Sequence, residues 1–262
     1  MPIRYISETK KGLSHARNRG IDESNGDIVI FLDDDVLVDK AWLAEMLRVF
    51  NRTNADCVGG RVFIKWAGKP EFPLRECENK LISFDKGDAD REMRGRSVPI
   101  GANLAFKRSV FEKGLRFNTE LGRTGACLIS GEEIELIWKL QRNNKSVWYA
   151  AKSIVYHRLE GERCTKSYYF RRHFWFGVSY ALIDREMNNI AFSIIIGILR
   201  ILKALIFDLS KWTIYRMVGN SPSCFFTSCK IAKSIGYWYG MLFGKHKNYN
   251  SIEKHFYRLL YV

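Results

Sequence analysis

The run Ile28-Val29-Ile30-Phe31-Leu32 passes without a break into Asp33-Asp34-Asp35 and then Val36. Five apolar residues, β-branched or aromatic for the most part, predict a short strand buried on both faces with parallel neighbours. Three consecutive carboxylates at a buried strand end cannot all stay ionised unless positive charge stands beside them. A divalent cation with oxygen ligands supplies that charge, and Asp33 and Asp35 are the pair whose side chains leave the strand on the same side. One Asp after a strand is an ordinary polar turn. Three of them make a metal site the better reading.

Around this stretch lie 262 residues, 47% hydrophobic and 27% charged, enough for one large domain and an appendage. A formal charge of +14 implies an anionic partner: nucleic acid, an acidic membrane surface or a phosphorylated substrate. No RNA-binding signature, zinc-finger spacing or basic low-complexity tail is present, so nucleic acid is not the expected partner, and it would leave the acids unexplained. The six cysteines are scattered, with no Cys-x-x-Cys pair, as suits a reducing cytosol. Met1-Pro2-Ile3-Arg4-Tyr5 has no apolar signal-peptide core.

In chain order, Ile3–Ser7 predicts a strand, and Ser14 an N-cap for a helix that ends near Asn25-Gly26. Asp39 can cap a helix with Trp42, Leu43, Met46, Leu47 and Phe50 on its apolar side. Cys57–Ile64 reads as a strand, 65–96 as loops with a helical piece near 74–84, and 103–106 as a strand leading to a short helix from Arg108. Residues 115–131 are spaced by glycine and read as a loop, after which Gly131-Glu132-Glu133 opens a patterned helix. Ser146–Ala150 and Ser153–Tyr156 predict two short strands, the second ending at His157.

From Ser167 the composition changes. Tyr168, Tyr169, Phe170, Phe174, Trp175 and Phe176 interleave with Arg171 and Arg172, and Ile190–Phe207 is almost wholly apolar. On a helix, Ser193, Gly197, Arg200, Ala204 and Lys211 share one side, with Lys203 beside them. About 18 apolar residues are marginal for crossing a bilayer, and each central cation would cost roughly 2.5–3.5 kcal/mol there. A helix lying in the interface fits better. The tail, with Lys230, Lys233, Trp238, Tyr239, Lys245 and Lys247, has the same basic-aromatic character. The expected division is an α/β domain over 1–165, cast as the catalytic domain by the resemblance that follows, and a helical, membrane-associating region over 166–262.

Five stretches in order resemble the motifs of family 2 glycosyltransferases, over about residues 5–160: Gly12-Leu13-Ser14-His15-Ala16-Arg17-Asn18-Arg19-Gly20, Phe31-Leu32-Asp33-Asp34-Asp35, Gly101-Ala102-Asn103, Gly131-Glu132-Glu133 and Val155-Tyr156-His157. The resemblance implies an α/β domain of the GT-A fold. It also implies inverting transfer from a nucleotide-diphosphate sugar, with Mn²⁺ or Mg²⁺, to a saccharide or lipid-linked acceptor in cell-surface polysaccharide or glycolipid synthesis. It casts Asp33, Asp35 and His157 as metal ligands, with imidazole tilting the choice toward Mn²⁺. Arg17, Asn18, Asp33, Asp34, Gly101 and Asn103 become donor contacts, Glu133 the general base and Glu132 its acceptor-orienting neighbour. The family usually has Asp at the base position, so Glu133 adds a methylene. In a first helical turn the macrodipole is expected to lower its pKa.

The family's first strand, first helix and the acid after its second strand have no counterpart here. The expected domain is therefore N-terminally incomplete, with weak nucleotide-sugar binding by this chain, and a catalytically inactive remnant is the alternative reading. The expected location is the cytoplasmic face of the membrane, as a peripheral protein on an anionic surface.

Overall fold

The computed structural model describes residues 3–71, 82–125 and 127–244. Helix α1 (Leu13–Glu23) leads to β1 (Ile28–Leu32), the three acids and β2 (Val36–Val38). Helix α2 (Trp42–Thr53), β3 (Cys57–Trp66), β4 (Arg91–Glu92) and β5 (Asn103–Lys107) follow, then α3 (Glu132–Arg142) and β6 (Val147–Leu159). Four helices close the chain: α4 (Lys166–Met187), α5 (Ile190–Lys203), α6 (Leu209–Met217) and α7 (Ser221–Phe243). The α/β class expected from the sequence is what forms.

The strand order is β1-β5-β3-β6-β2, antiparallel except for the β3–β6 pair. β6 has β3 along one side and both β4 and β2 along the other, near its start and near its end. β1 and β2 therefore stand at opposite ends of the order, although only three residues join them. Four residues reach about 14 Å, while four strand spacings in a flat sheet come to about 19 Å. The sheet must curl, and its register breaks between Gly60 and Arg61. Gly60 is obligatory there, because a Cβ would lie 2.1 Å from Asn103 Nδ2 and 2.3 Å from the Ser153 carbonyl.

Helices cover both faces. α2 places Met46, Val49 and Phe50 against Val58, Ala105 and Ala150 on one face. A larger core on the other face runs unbroken from Ile21, Phe31 and Phe106 through α3 to Phe170, Trp175 and Phe226. α4 and α7 cross without side-chain spacers: a Cβ on Gly177 would sit 2.0 Å from the Lys233 carbonyl, and one on Gly236 2.1 Å from that of Phe174. Ile190–Met217 forms a 28-residue helical run with one π turn at Ala204–Asp208; by length and composition it could cross a membrane. Ser193, Gly197 and Ala204, which share one side, face inward, whereas Lys211 of the same side is exposed, and Ile195, Leu199 and Leu205 are more than half exposed.

Several expectations are corrected. Ile3–Ser7 is not a strand, and Ile3 and Tyr5 lie open to solvent. β1 is an edge strand among the described residues; only Val29 and Phe31 are buried, and its neighbour β5 is antiparallel. Ser14 does not cap α1 but lies inside it, its hydroxyl donating to the Leu121 carbonyl at 2.7 Å. The two strands expected over 146–156 are one, and His157 falls inside it. The aromatic run of α4 is core and not membrane-facing surface, so the composition change at 166 marks no break in packing. The helical piece near 74–84 falls largely outside the described residues, as do Lys245 and Lys247.

Candidate active site

The register of β2 on β6 places Val36 opposite His157, so Asp35 arrives beside that imidazole. His157 Nε2 lies 3.2 Å from Asp35 Oδ1, and the Arg158 amide donates to the Asp35 carbonyl at 2.8 Å. One atom each from Asp33, Asp35 and His157 falls within 4.8 Å of the others. On its far side, His157 Nδ1 lies 3.2 Å from the buried Ile82 carbonyl. A ring that donates there presents the Nε2 lone pair to a carboxylate, a contact that is repulsive unless a proton or a cation sits between. Asp35 Oδ1 is itself buried without a hydrogen bond among the described residues. Two hard oxygens and one imidazole nitrogen fit a divalent cation, and these residues would hold it.

The acids do not depend on such an ion alone. Arg17 donates to Asp33 at 3.1 Å, and Arg163, on a short turn after β6, pairs with Asp35. Burial pushes the Asp35 carboxyl up, but the adjacent His157 and the hydrogen bond and charge of Arg163 outweigh it and hold the group well below the usual range. Two arginines thus supply part of the positive charge that the sequence requires beside the cluster.

Arg17 is the hinge of the site. It is 7% exposed, its guanidinium bridging Asp33 and, at 2.7 Å, Glu132 Oε1. Phe31 and Phe117 rings flank it at 6.0 and 5.5 Å. Gly101 makes room for it, since a Cβ there would lie 2.5 Å from Nη2, and the Gly101 carbonyl accepts from that nitrogen at 3.3 Å. Asn18 and Asn103, expected at the donor, are committed elsewhere. Asn18 holds the Phe117 backbone through both amide atoms, and Asn103 is fully buried between Trp42, Arg61 and Ser153.

Across the hollow, Gly131 at φ 90° lets α3 begin with Glu132 and Glu133 turned inward. Oε2 of each carboxylate is buried without a hydrogen-bond partner among the described residues. Burial, and then the Glu132 charge, push the Glu133 pKa up to about 7 against the opposing pull of Arg17 and Arg172. The expected lowering by the helix dipole is overturned, because an exposed dipole contributes only about 0.3–1 kcal/mol and a buried carboxylate beside a like charge loses more.

Asp33, Asp34, Asp35, His157, Glu132 and Glu133 all line one cavity of about 240 Å³, together with Arg17 and Gly101. Three further cations line it: Arg123, Arg163 and Arg172. Arg172 is 7% exposed, donates to the Leu128 carbonyl and is pushed down to about 10 by burial and by Arg123. These three escape sequence reasoning because they stand outside any motif. The one signal was Arg172 within an aromatic run that had to be buried on some face.

Residues 1–115 match the family model described as Glycosyl transferase family 2. Among curated proteins, a glucosyl-dolichyl phosphate glucuronosyltransferase of Haloferax volcanii is 28% identical over 185 residues, 70% of this chain and 59% of that one. The succinoglycan biosynthesis protein ExoM of Rhizobium meliloti is 25% identical over 187 residues, 70% of this chain and 57% of that one. The chain thus spans less than two thirds of the length of these relatives. Among solved structures, S. aureus TarS 1-349 in complex with UDP-GlcNAc aligns over 88% of this chain and 74% of that one, at 15% identity and a TM-score of 0.42.

Proposed function

We propose, from the premise that this chain belongs to glycosyl transferase family 2, that its acidic hollow moves a sugar from a nucleotide-diphosphate donor to a saccharide or lipid-linked acceptor with inversion. The observation that carries this reading is the convergence of Asp33, Asp35 and His157 with Glu132 and Glu133 on one cavity. A divalent cation held by the first three would offset charge on the diphosphate as it leaves. Arg123, Arg163 and Arg172 add fixed positive charge on the same walls, suited to anionic oxygens. Glu133 takes the acceptor hydroxyl proton; its raised pKa makes it a stronger base at neutral pH than an ordinary carboxylate. Arg17 orients the pair by holding Glu132 while its other amine holds Asp33.

The names of the relatives point to lipid-linked and polysaccharide products, and that supports the acceptor class. The test is transfer by the purified chain from a panel of nucleotide sugars with Mn²⁺, with the anomer of the product read by NMR. Metal chelation and Asp35→Ala are each expected to lower the rate by about 10²-fold or more, in line with several kcal/mol of charge stabilisation. An inactive remnant predicts no transfer in any arm, and retention of anomeric configuration rejects the inverting mechanism.

The chain's place is the cytoplasmic face of the membrane, with Ile190–Met217 lying in the interface. Lys203 and Asp208, paired at 3.1 Å in the middle of that helix, suit an in-plane seat better than a crossing. Co-sedimentation with vesicles is expected to rise with anionic lipid and to be reversed by alkaline carbonate. Retention after the carbonate wash means the helix crosses.

A further inference from the structure

Beside the acidic hollow, and sharing Ile100, Ile134 and Phe176 with it as walls, lies a much larger cleft of about 970 Å³ between the sheet and helices α4 and α7. Its lining is of two kinds. Phe63, Trp66, Phe84, Tyr169, Phe226 and Tyr180 make it aromatic, and Lys86, Lys230 and Lys233 bring cations that have no carboxylate partner among the described residues. The acid on the wall, Asp85, is already held by Arg61 at 2.8 Å. Lys233 is half-buried, its ammonium 4.7 Å from the Phe176 ring and 4.9 Å from that of Tyr180. Burial, then Arg200 and Lys203, lower its pKa to about 8, and no carboxylate answers it among the described residues.

We infer that this cleft is the acceptor site and that it takes a lipid phosphate, an amphiphile whose phosphate rests on Lys233 and Lys230 and whose chain runs along the aromatic wall. The inference rests on the transferase reading of the neighbouring hollow and adds the chemistry of the second substrate. Charge complementarity carries the head group, because the half-buried Lys233 and the exposed Lys230, with no carboxylate partner among the described residues, favour an anionic phosphate. The apolar walls carry the tail, because Phe63, Trp66 and Tyr180 are partly exposed over a floor of buried Phe84, Tyr169 and Phe226, and covering such surface is stabilising. The shared wall carries the direction of binding. Ile134 follows Glu133 on α3, so a sugar attached beyond the phosphate passes Phe176 toward the base. On its other side the cleft abuts α5, whose Arg200 lies 5.6 Å from the Tyr180 ring while Ile195 and Leu199 point outward. A chain leaving the cleft on that side emerges beside the apolar surface of the helix.

The experiment titrates the full chain with farnesyl phosphate below its micellar concentration and reads quenching of tryptophan fluorescence, Trp66 being on the cleft wall. Farnesol and inorganic phosphate are each expected to bind at least tenfold more weakly than farnesyl phosphate. The Lys230→Gln, Lys233→Gln double variant is expected to lose at least tenfold in affinity for farnesyl phosphate and to keep its affinity for farnesol. Equal affinity of wild type and double variant for farnesyl phosphate overturns the site. Inorganic phosphate binding as tightly as farnesyl phosphate overturns the lipid part. Glu133→Gln separates the two readings, since it is expected to bind farnesyl phosphate as wild type does even where no sugar transfer can be measured.

Discussion

Glu133→Gln is expected to lower sugar transfer by about 10²–10⁴-fold, the usual worth of a positioned general base, and at the same time to make the protein more stable above neutral pH. The two effects share a cause. A pKa raised to about 7 means that the folded chain holds this proton more tightly than the unfolded chain does. The wild type therefore loses stability as pH rises from the ordinary carboxylate range through about 7, where a half-buried charge must form beside Glu132. Glutamine never forms that charge. The gain is on the order of 1–3 kcal/mol at pH 8, against about 0.3–1 kcal/mol lost from the helix dipole. Melting curves should separate at pH 8 and come together near pH 5. The rate of the wild type should fall on the acid side of about pH 7. Full turnover by the variant removes Glu133 from the mechanism, and a lower melting temperature at pH 8 shows that the dipole outweighs burial.

Arg17→Met is expected to be the more damaging change to the fold, costing about 3–5 kcal/mol, because it strips the counter-charge from a buried partner. Glu132 is 3% exposed, and Arg17 is the residue bonded to its Oε1. A stability of about 5–15 kcal/mol is ordinary for such a domain, so the loss is a large share of the whole. Arg17 also pulls the Glu133 pKa down, with Arg172 assisting from α4 and Glu132 opposing. Without it the acid limb of the rate profile should move to higher pH. Urea midpoints measure the first effect and pH–rate curves on the surviving folded fraction the second. A variant as stable as wild type means that Glu132 finds other compensation. An unmoved acid limb means that Arg17 does not act on the base.

Much of the site could be read along the chain. The three acids after β1 and the Gly-Glu-Glu start of α3 announce themselves by residue type at an element's end, and the tyrosine-histidine pair by residue type within β6. The three acids, Glu132, Glu133 and His157 do line one cavity, while Tyr156 lies outside it. Reading failed where burial was inferred from apolar content alone. β1 is as apolar as a central strand, yet it lies at the edge of the described sheet, with Leu32 40% exposed. The aromatic run of α4 looks like a membrane face, yet it fills the core against α7, where Gly177 and Gly236 allow backbone contact that no hydropathy pattern encodes. Asn18 and Asn103 sit inside motifs but serve packing, because a buried amide must first satisfy its own hydrogen bonds.

By itself the sequence determined the α/β class, the places of most strands and helices, and which carboxylates and imidazole were available for chemistry. Those follow from local preference and from charge that has to be answered nearby. The curl that lets three residues join opposite ends of the strand order was decided only by the tertiary structure. So were the register that sets His157 beside Asp35, and the delivery of Arg163 and Arg172 from distant helical turns. Each depends on which surfaces meet, and that is a property of the packed chain that no window of neighbouring residues contains.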